Sequence, residues 1–156
     1  MLLSMEQKLV MNNQLIQASG IRIAAAASSR EEAVALCGQT LLELGAVSEE
    51  YLPAMWEREQ IISSYMGEGV AMPHGTDEAR KYVKFDQLVF LRFQNEIDWE
   101  GVPVRACIGI AATGDSHGQI LGNLAEVLID DDKRLELFAT QSVTRILELL
   151  ETSEEE

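Results

Sequence analysis

Apolar residues recur at helical period in several stretches of this chain and crowd into near-continuous runs in others. Val34, Leu36, Cys37, Leu41, Leu42 and Leu44 share a helical spacing. Ser28 and Ser29 each stand three residues ahead of a glutamate, a capping-box pattern, and Gly45 marks the stop. Ser48, Tyr51, Leu52 and Met55 open a second helix that should run to about Gln60, with Pro53 a little deep in its first turn. A short helix is expected over Asp77 to Lys81. Three more are predicted at about His117 to Ile129, Lys133 to Phe138 and Val143 to Leu150, the last capped by Ser142.

The strand-like runs fall between these helices. Ile21 to Ile23 begins one, and Val70 to Met72 is a second, short one. Val83 to Phe93 and Val102 to Ala112 are the strongest, with residues 108–112 apolar on both faces, as in a strand covered on both sides. Residues 95–101 read as turn chemistry around one tryptophan. Strands alternating with helices predict a single α/β domain with helices on both faces of its sheet. The expected division is an N-terminal extension over 1–19 with no assigned role, a domain over 20–150, and an acidic, solvated tail over 151–156.

Composition narrows the partners. The chain has 156 residues and is 47% hydrophobic, enough for one real core. Lys and Arg total 12 against 26 for Asp and Glu, a formal net charge of −14. That balance argues against nucleic acid or an anionic membrane surface, which select basic patches. Cys37 and Cys107 both lie in apolar runs and read as buried thiols, not as a redox or metal pair. No apolar run approaches ~18 residues and no signal-peptide pattern opens the chain, so a cytoplasmic protein without membrane insertion is expected.

Candidate chemistry concentrates in residues 67–76, Gly-Glu-Gly-Val-Ala-Met-Pro-His-Gly-Thr. Pro73 sets φ near ~−65° and holds Met72 extended, so His74 is delivered at a strand end on a stiff turn. Gly75 leaves permissive backbone where a side chain could block an approaching partner. Thr76, Asp77 and Glu78 resemble a helix start, and a helix N-terminus beside an imidazole suits an anion. The second histidine, His117, stands just past the end of the core strand, where α/β sheets gather functional groups. Arg58 shares a helix face with Tyr51 and Met55 and is a natural phosphoryl clamp. The bland alternatives are a first-turn polar residue for His117 and a surface ion pair with Glu49, Glu57 or Glu59 for Arg58. Together the three suggest a covalent phosphohistidine, since imidazole is a competent nucleophile near its ~6.5 pKa. There is no Gly-rich phosphate loop with lysine, no dinucleotide fingerprint, no nucleophile elbow and no metal-ligand spacing. No cofactor is therefore implied, and a phosphoryl group would come from another protein.

Several motifs then resemble, in order, the EIIA domains of the bacterial sugar phosphotransferase system, mannitol–fructose class. They are Tyr51 to Glu59 with its Met55-x-x-Arg58-Glu59 element, Gly67 to Gly75, Trp99-x-Gly101, residues 108–112, and His117 with the Leu121-x-x-Leu124-Ala125 helix. The similarity spans about residues 20 to 150. It implies a mixed, mainly parallel sheet with helices on both faces. It also implies that His74 accepts a phosphoryl group from phospho-HPr and passes it to a cysteine of an EIIB partner, with His117 and Arg58 completing the active site. His74-Gly75-Thr76 looks more like the mannitol branch than the fructose branch. Val70 and Met72 replace isoleucines usual in the motif, and both stay apolar. A regulatory nitrogen-type or fructose-type EIIA, whose phosphorylation switches protein–protein binding, shares the motif. A mostly apolar docking surface around His74 is expected, with Met66, Val70 and Met72 as candidates, some of them buried beneath the turn, and Glu68, Asp77 and Glu78 turned outward.

Overall fold

A computed structural model of the chain describes residues 15–114 and 116–151. In chain order the elements are strand β1 (Ile16–Ala25), helices α1 (Arg30–Glu43) and α2 (Tyr51–Ile61), strands β2 (Tyr65–Gly67) and β3 (Val70–Ala71), and a 3₁₀ helix (Asp77–Tyr82). Strands β4 (Gln87–Trp99) and β5 (Val102–Ala111) follow, then helices α3 (His117–Ile129), α4 (Asp131–Ala139) and α5 (Val143–Glu151). The sheet runs β1-β4-β5-β3-β2. It is mixed, as the resemblance implies, but partly rather than mainly parallel. β1 with β4 and β3 with β5 are parallel, while the long β4–β5 hairpin and the short β2–β3 pair are antiparallel. Among the described residues, no helix is long and apolar enough to cross a membrane.

Alternation along the strands splits the core in two. Leu88, Phe90, Ile108 and Ile110 face one side, where Ile120, Leu124 and Val127 of α3 and Ile146, Leu149 and Leu150 of α5 cover them. Val89, Leu91, Cys107 and Ala111 face the other, under Val34, Cys37 and Leu41 of α1 and Met55 of α2. Each Val, Leu, Ile, Phe or Met among them, fully withdrawn from water, contributes about 1.5–3 kcal/mol. Helix α1 comes so close to β5 that a Cβ on Gly109 would lie 2.8 Å from Val89 Cγ2 and 3.0 Å from Cys37 Cβ. Both cysteines are free and buried, as their apolar settings predict.

The caps follow the sequence pattern. Ser29 accepts the Glu32 N–H, and the Glu32 carboxylate returns to the Ser28 N–H. Ser142 caps α5 as expected, while α4 starts at Asp131, before the expected Lys133, under a cap from Asp130 that the sequence reading did not single out. Helix α2 begins at Tyr51, three residues later than expected, so Pro53 sits in its first turn, where no intrahelical N–H bond is lost.

The strands depart more. β1 begins at Ile16, before the expected Ile21, and a register irregularity between the two lets both face the same core. An odd spacing of apolar residues hides such a strand from a period-two reading. Val83 does not start β4; it bridges Val47, and Lys84 N–H donates to Ala46 O (2.7 Å), tying this segment to the α1–α2 connection. β4 continues to Trp99, and the turn is only Glu100 and Gly101, both at positive φ (55° and 98°), the geometry of a tight hairpin. The three-residue β2 was not expected at all. The N-terminal extension and the acidic tail fall largely on residues 1–14 and 152–156, outside the described residues.

Candidate functional site

His74 sits where the chain leaves β3 and runs beside the end of β5. Pro73 O accepts the Ile110 N–H (2.9 Å), and His74 pairs with Ile110 as an isolated parallel bridge. Its ring nitrogen Nδ1 lies 2.8 Å from Met72 O. A carbonyl only accepts, so Nδ1 carries the proton and donates. The Nε2 lone pair is left free, which makes it the nucleophilic atom of a neutral imidazole. Burial is the main reason the His74 pKa lies below its ordinary value; the Met72 bond opposes this, Arg58 lowers it further, Glu59 raises it and Arg80 lowers it.

Tyr51 locks this turn. Its hydroxyl donates to Ile110 O (2.9 Å) and accepts the Gly75 N–H (2.8 Å). A Cβ on Gly75 would stand 2.6 Å from Tyr51 Cε1. Glycine is needed there because the phenol ring packs directly against it. Burial raises the Tyr51 pKa, so the hydroxyl keeps its proton for the bond it donates.

A second support comes from Glu59, 2% exposed. Its carboxylate accepts from Ser64 N–H (3.0 Å), Ser64 Oγ (2.5 Å) and Trp99 Nε1 (2.9 Å), and Arg30 lies 3.7 Å away. Ser64 O in turn accepts the Met72 N–H (2.9 Å). The chain of bonds from Trp99 through Glu59 and Ser64 thus ends on the residue whose carbonyl orients His74.

His117 opens α3, whose first-turn N–H groups have no partner inside the helix. The loop before it is fixed by Asp86, whose carboxylate accepts from Thr113 N–H (2.9 Å) and Ser116 Oγ (2.6 Å). The two imidazoles, distant in sequence, meet with ring centroids 4.9 Å apart. The His117 pKa is also lowered, first by burial and then by His74 and Arg80, with Asp77 opposing.

Arg58 stands on the last turn of α2, half-buried, and donates to Ile62 O (2.7 Å). Its charge reaches both imidazoles. Beside it Ile61 and Ile62 are 66% and 62% exposed, and Met66 of β2 is 47% exposed. Of the three candidates, Val70 and Met72 are the ones buried in the core beneath the turn. Glu68 and Asp77 do turn outward, to Arg134 and Arg80. The 3₁₀ helix after His74 is only six residues long and Thr76 makes no side-chain cap bond, so the expected anion-binding helix start is not formed there. Among the described residues, no three His, Cys, Asp or Glu side chains group as a metal ion would need.

The sequence reading singled out His74, His117 and Arg58, and it missed Tyr51, Glu59 and Asp86 as supports. Tyr51 and Glu59 were visible within the Tyr51-to-Glu59 motif, and their roles are tertiary. Asp86 carried no local signal.

Comparison with known proteins places this geometry in context. The profile described as "Phosphoenolpyruvate-dependent sugar phosphotransferase system, EIIA 2" matches residues 14–153. A Halalkalibacterium halodurans protein named mannitol-specific phosphotransferase enzyme IIA component is 35% identical over 140 residues, covering 90% of this chain and 97% of that protein. The crystal structure of IIA mannitol from Escherichia coli has a TM-score of 0.79 at 36% identity, covering 86% of this chain and 97% of that one. A complex of enzyme IIAMtl and phosphorylated enzyme IIBMtl from Escherichia coli gives 0.80 at 34%, covering 87% and 98%.

Proposed function

The chain belongs to the phosphoenolpyruvate-dependent sugar phosphotransferase system EIIA 2 family, and we propose on that premise that it is the phosphocarrier of a mannitol transport system. It works in the cytoplasm, taking a phosphoryl group from phospho-HPr onto His74 and giving it to an EIIB cysteine. The observation that carries this reading is the His74 tautomer: with Nδ1–H committed to Met72 O, the Nε2 lone pair is free beside His117.

Transfer then needs no proton from this chain. Nε2 attacks phosphorus in line as the N–P bond to HPr breaks, and that electron pair returns to the donor imidazole. In the second half, the EIIB thiolate attacks the same phosphorus and the electron pair returns to Nε2. The transition state spreads negative charge over three equatorial oxygens, so positioned donors do most of the work. Arg58 and His117 take that role, with the first-turn N–H groups of α3 at the same end of the sheet. Arg58 must exchange its Ile62 carbonyl for the incoming oxygens, which a charged donor favours because charge-assisted bonds are about twice as strong as neutral ones. The exposed Ile61, Ile62 and Met66 supply apolar contact for transient partners.

Relatives named for mannitol, at 35% and 36% identity, support the mannitol branch over the regulatory one. The test is reconstitution of the onward half: phosphorylated protein mixed with mannitol EIIB and, separately, with fructose EIIB. Rapid loss of the group to the mannitol EIIB thiol is expected. Equal or faster transfer to the fructose partner, or transfer to neither, would remove the mannitol assignment.

A further inference from the structure

We propose that Arg80 is a second guanidinium contact for the phosphoryl group, parked on Asp77 while the site is empty and turned onto the group when His74 carries it. This rests on the reading that His74 is phosphorylated.

Arg80 lies in the 3₁₀ helix that follows the His74 turn. One of its amino nitrogens, Nη2, pairs with Asp77 Oδ1 at 3.1 Å. The other, Nη1, lies against bare backbone of the loop leading into α3, 3.6 Å from where a Cβ on Gly114 would stand. The guanidinium therefore spans the segment that presents His74 and the segment that presents His117. Its side chain is 33% exposed, so the guanidinium is not sealed from an incoming group. Its charge acts on both imidazoles, lowering both.

The resting partner is a weak competitor. Asp77 is 88% exposed. An ion pair that solvated contributes about 0–1 kcal/mol, so a phosphoryl dianion between two histidines outcompetes it. The planar fork then offers two parallel N–H bonds to two oxygens, which a lysine would not match. With Arg58 approaching from α2, the group is flanked by guanidinium donors from two elements. In the sequence, Arg80 is hidden among Asp77, Glu78 and Lys81, a run that looks like an ordinary solvated face.

The experiment uses the whole chain with phosphoenolpyruvate, Enzyme I and HPr, and compares Arg80→Ala, Arg80→Gln and Arg80→Lys. Two quantities are read: the rate of transfer from phospho-HPr, and the partition of phosphoryl groups between HPr and this protein at equilibrium. For Arg80→Ala a loss of about tenfold is expected in rate, smaller than the ~10²–10³ of a fully enclosed donor. The partition should move toward HPr, with Arg80→Lys in between. Imidazole titration by NMR should show both His74 and His117 midpoints rising in Arg80→Ala, which a purely structural tie to Asp77 would not produce. If Arg80→Ala does not fold, Arg80→Gln, similar in length but neutral, carries the same expectations. An unchanged partition in the folded neutral variant, whatever the rate, overturns the proposal. Failure of the wild-type chain to take up any phosphoryl group would instead strike the reading on which it rests.

Discussion

The His117 imidazole lies 4.9 Å from that of His74, centroid to centroid, with 57° between the ring planes. One ring hangs from the turn after β3 and the other from the start of α3. The end of β5 brings them together: Ile110 is bonded to the His74 turn through Pro73 O and Tyr51, and the chain runs on from β5 to His117. Rings this close would let His117 reach a phosphoryl group carried by His74.

The lowered pKa of both rings sets a pH window. Folding here depresses the histidine pKa, so the unfolded chain binds more protons between the folded values and the ordinary ~6.5. Stability therefore rises with pH through that window and is lost as pH falls below ~6.5. Charges acting on the pair are Arg58, Arg80, Glu59 and Asp77. NMR titration should place both midpoints below the ordinary value, and the rate of phosphoryl uptake should stay flat down to about pH 6.5 before it drops. A midpoint for His74 above the ordinary value would contradict the tautomer and burial argued for it.

Tyr51→Phe keeps the ring against Gly75 but removes the hydroxyl between Gly75 N–H and Ile110 O. Leaving buried partners unmet costs about 1–3 kcal/mol. Denaturant unfolding should show that loss, and phosphoryl uptake should slow because the His74 turn is no longer pinned to β5. Wild-type stability in this variant would show that the hydroxyl is dispensable.

Glu59→Gln tests the buried carboxylate. A glutamine has one acceptor oxygen where the carboxylate has two, and its NH₂ would face donors from Ser64 or Trp99. A loss of about 2–3 kcal/mol is expected, together with a changed Trp99 fluorescence. A fully stable variant would mean that this network does not hold the β3 end in place.

Arg58 should behave differently from these supports. Among the described residues its hydrogen bond is to the Ile62 carbonyl at the open end of α2, so Arg58→Ala is expected to cost less than about 1 kcal/mol of stability. Transfer from phospho-HPr should fall by about tenfold or more as the clamp is lost, with Arg58→Lys recovering only part. A variant that loses stability but transfers at the wild-type rate would return Arg58 to a structural role.

How far the molecule was legible depends on whether a signal was local. The three C-terminal helices and β5 could be read because Ser142 caps at short range and Ile120, Leu124 and Val127 repeat on one face. The first half of β1 and the second half of β4 could not, because register irregularities break their alternation and Gln94, Asn95 and Glu96 look like a loop while they lengthen a hairpin. The same division holds at the site. His74 was legible from Pro73 and its strand-end position, and His117 from the end of β5. The bonds that hold the His74 turn in place come from Tyr51 and Glu59 on α2, and the His117 loop is held by Asp86, none of which neighbours its histidine in sequence.

The most direct measurement is the site and atom of phosphorylation. The protein is incubated with phosphoenolpyruvate, Enzyme I and HPr, followed by intact mass, and then by ¹⁵N NMR of the imidazoles. One acid-labile phosphoryl group is expected on the wild type and none on His74→Ala, with the group on Nε2 and Nδ1 still protonated toward Met72 O. Normal labelling of His74→Ala, or a group found on Nδ1, would contradict the account at its centre.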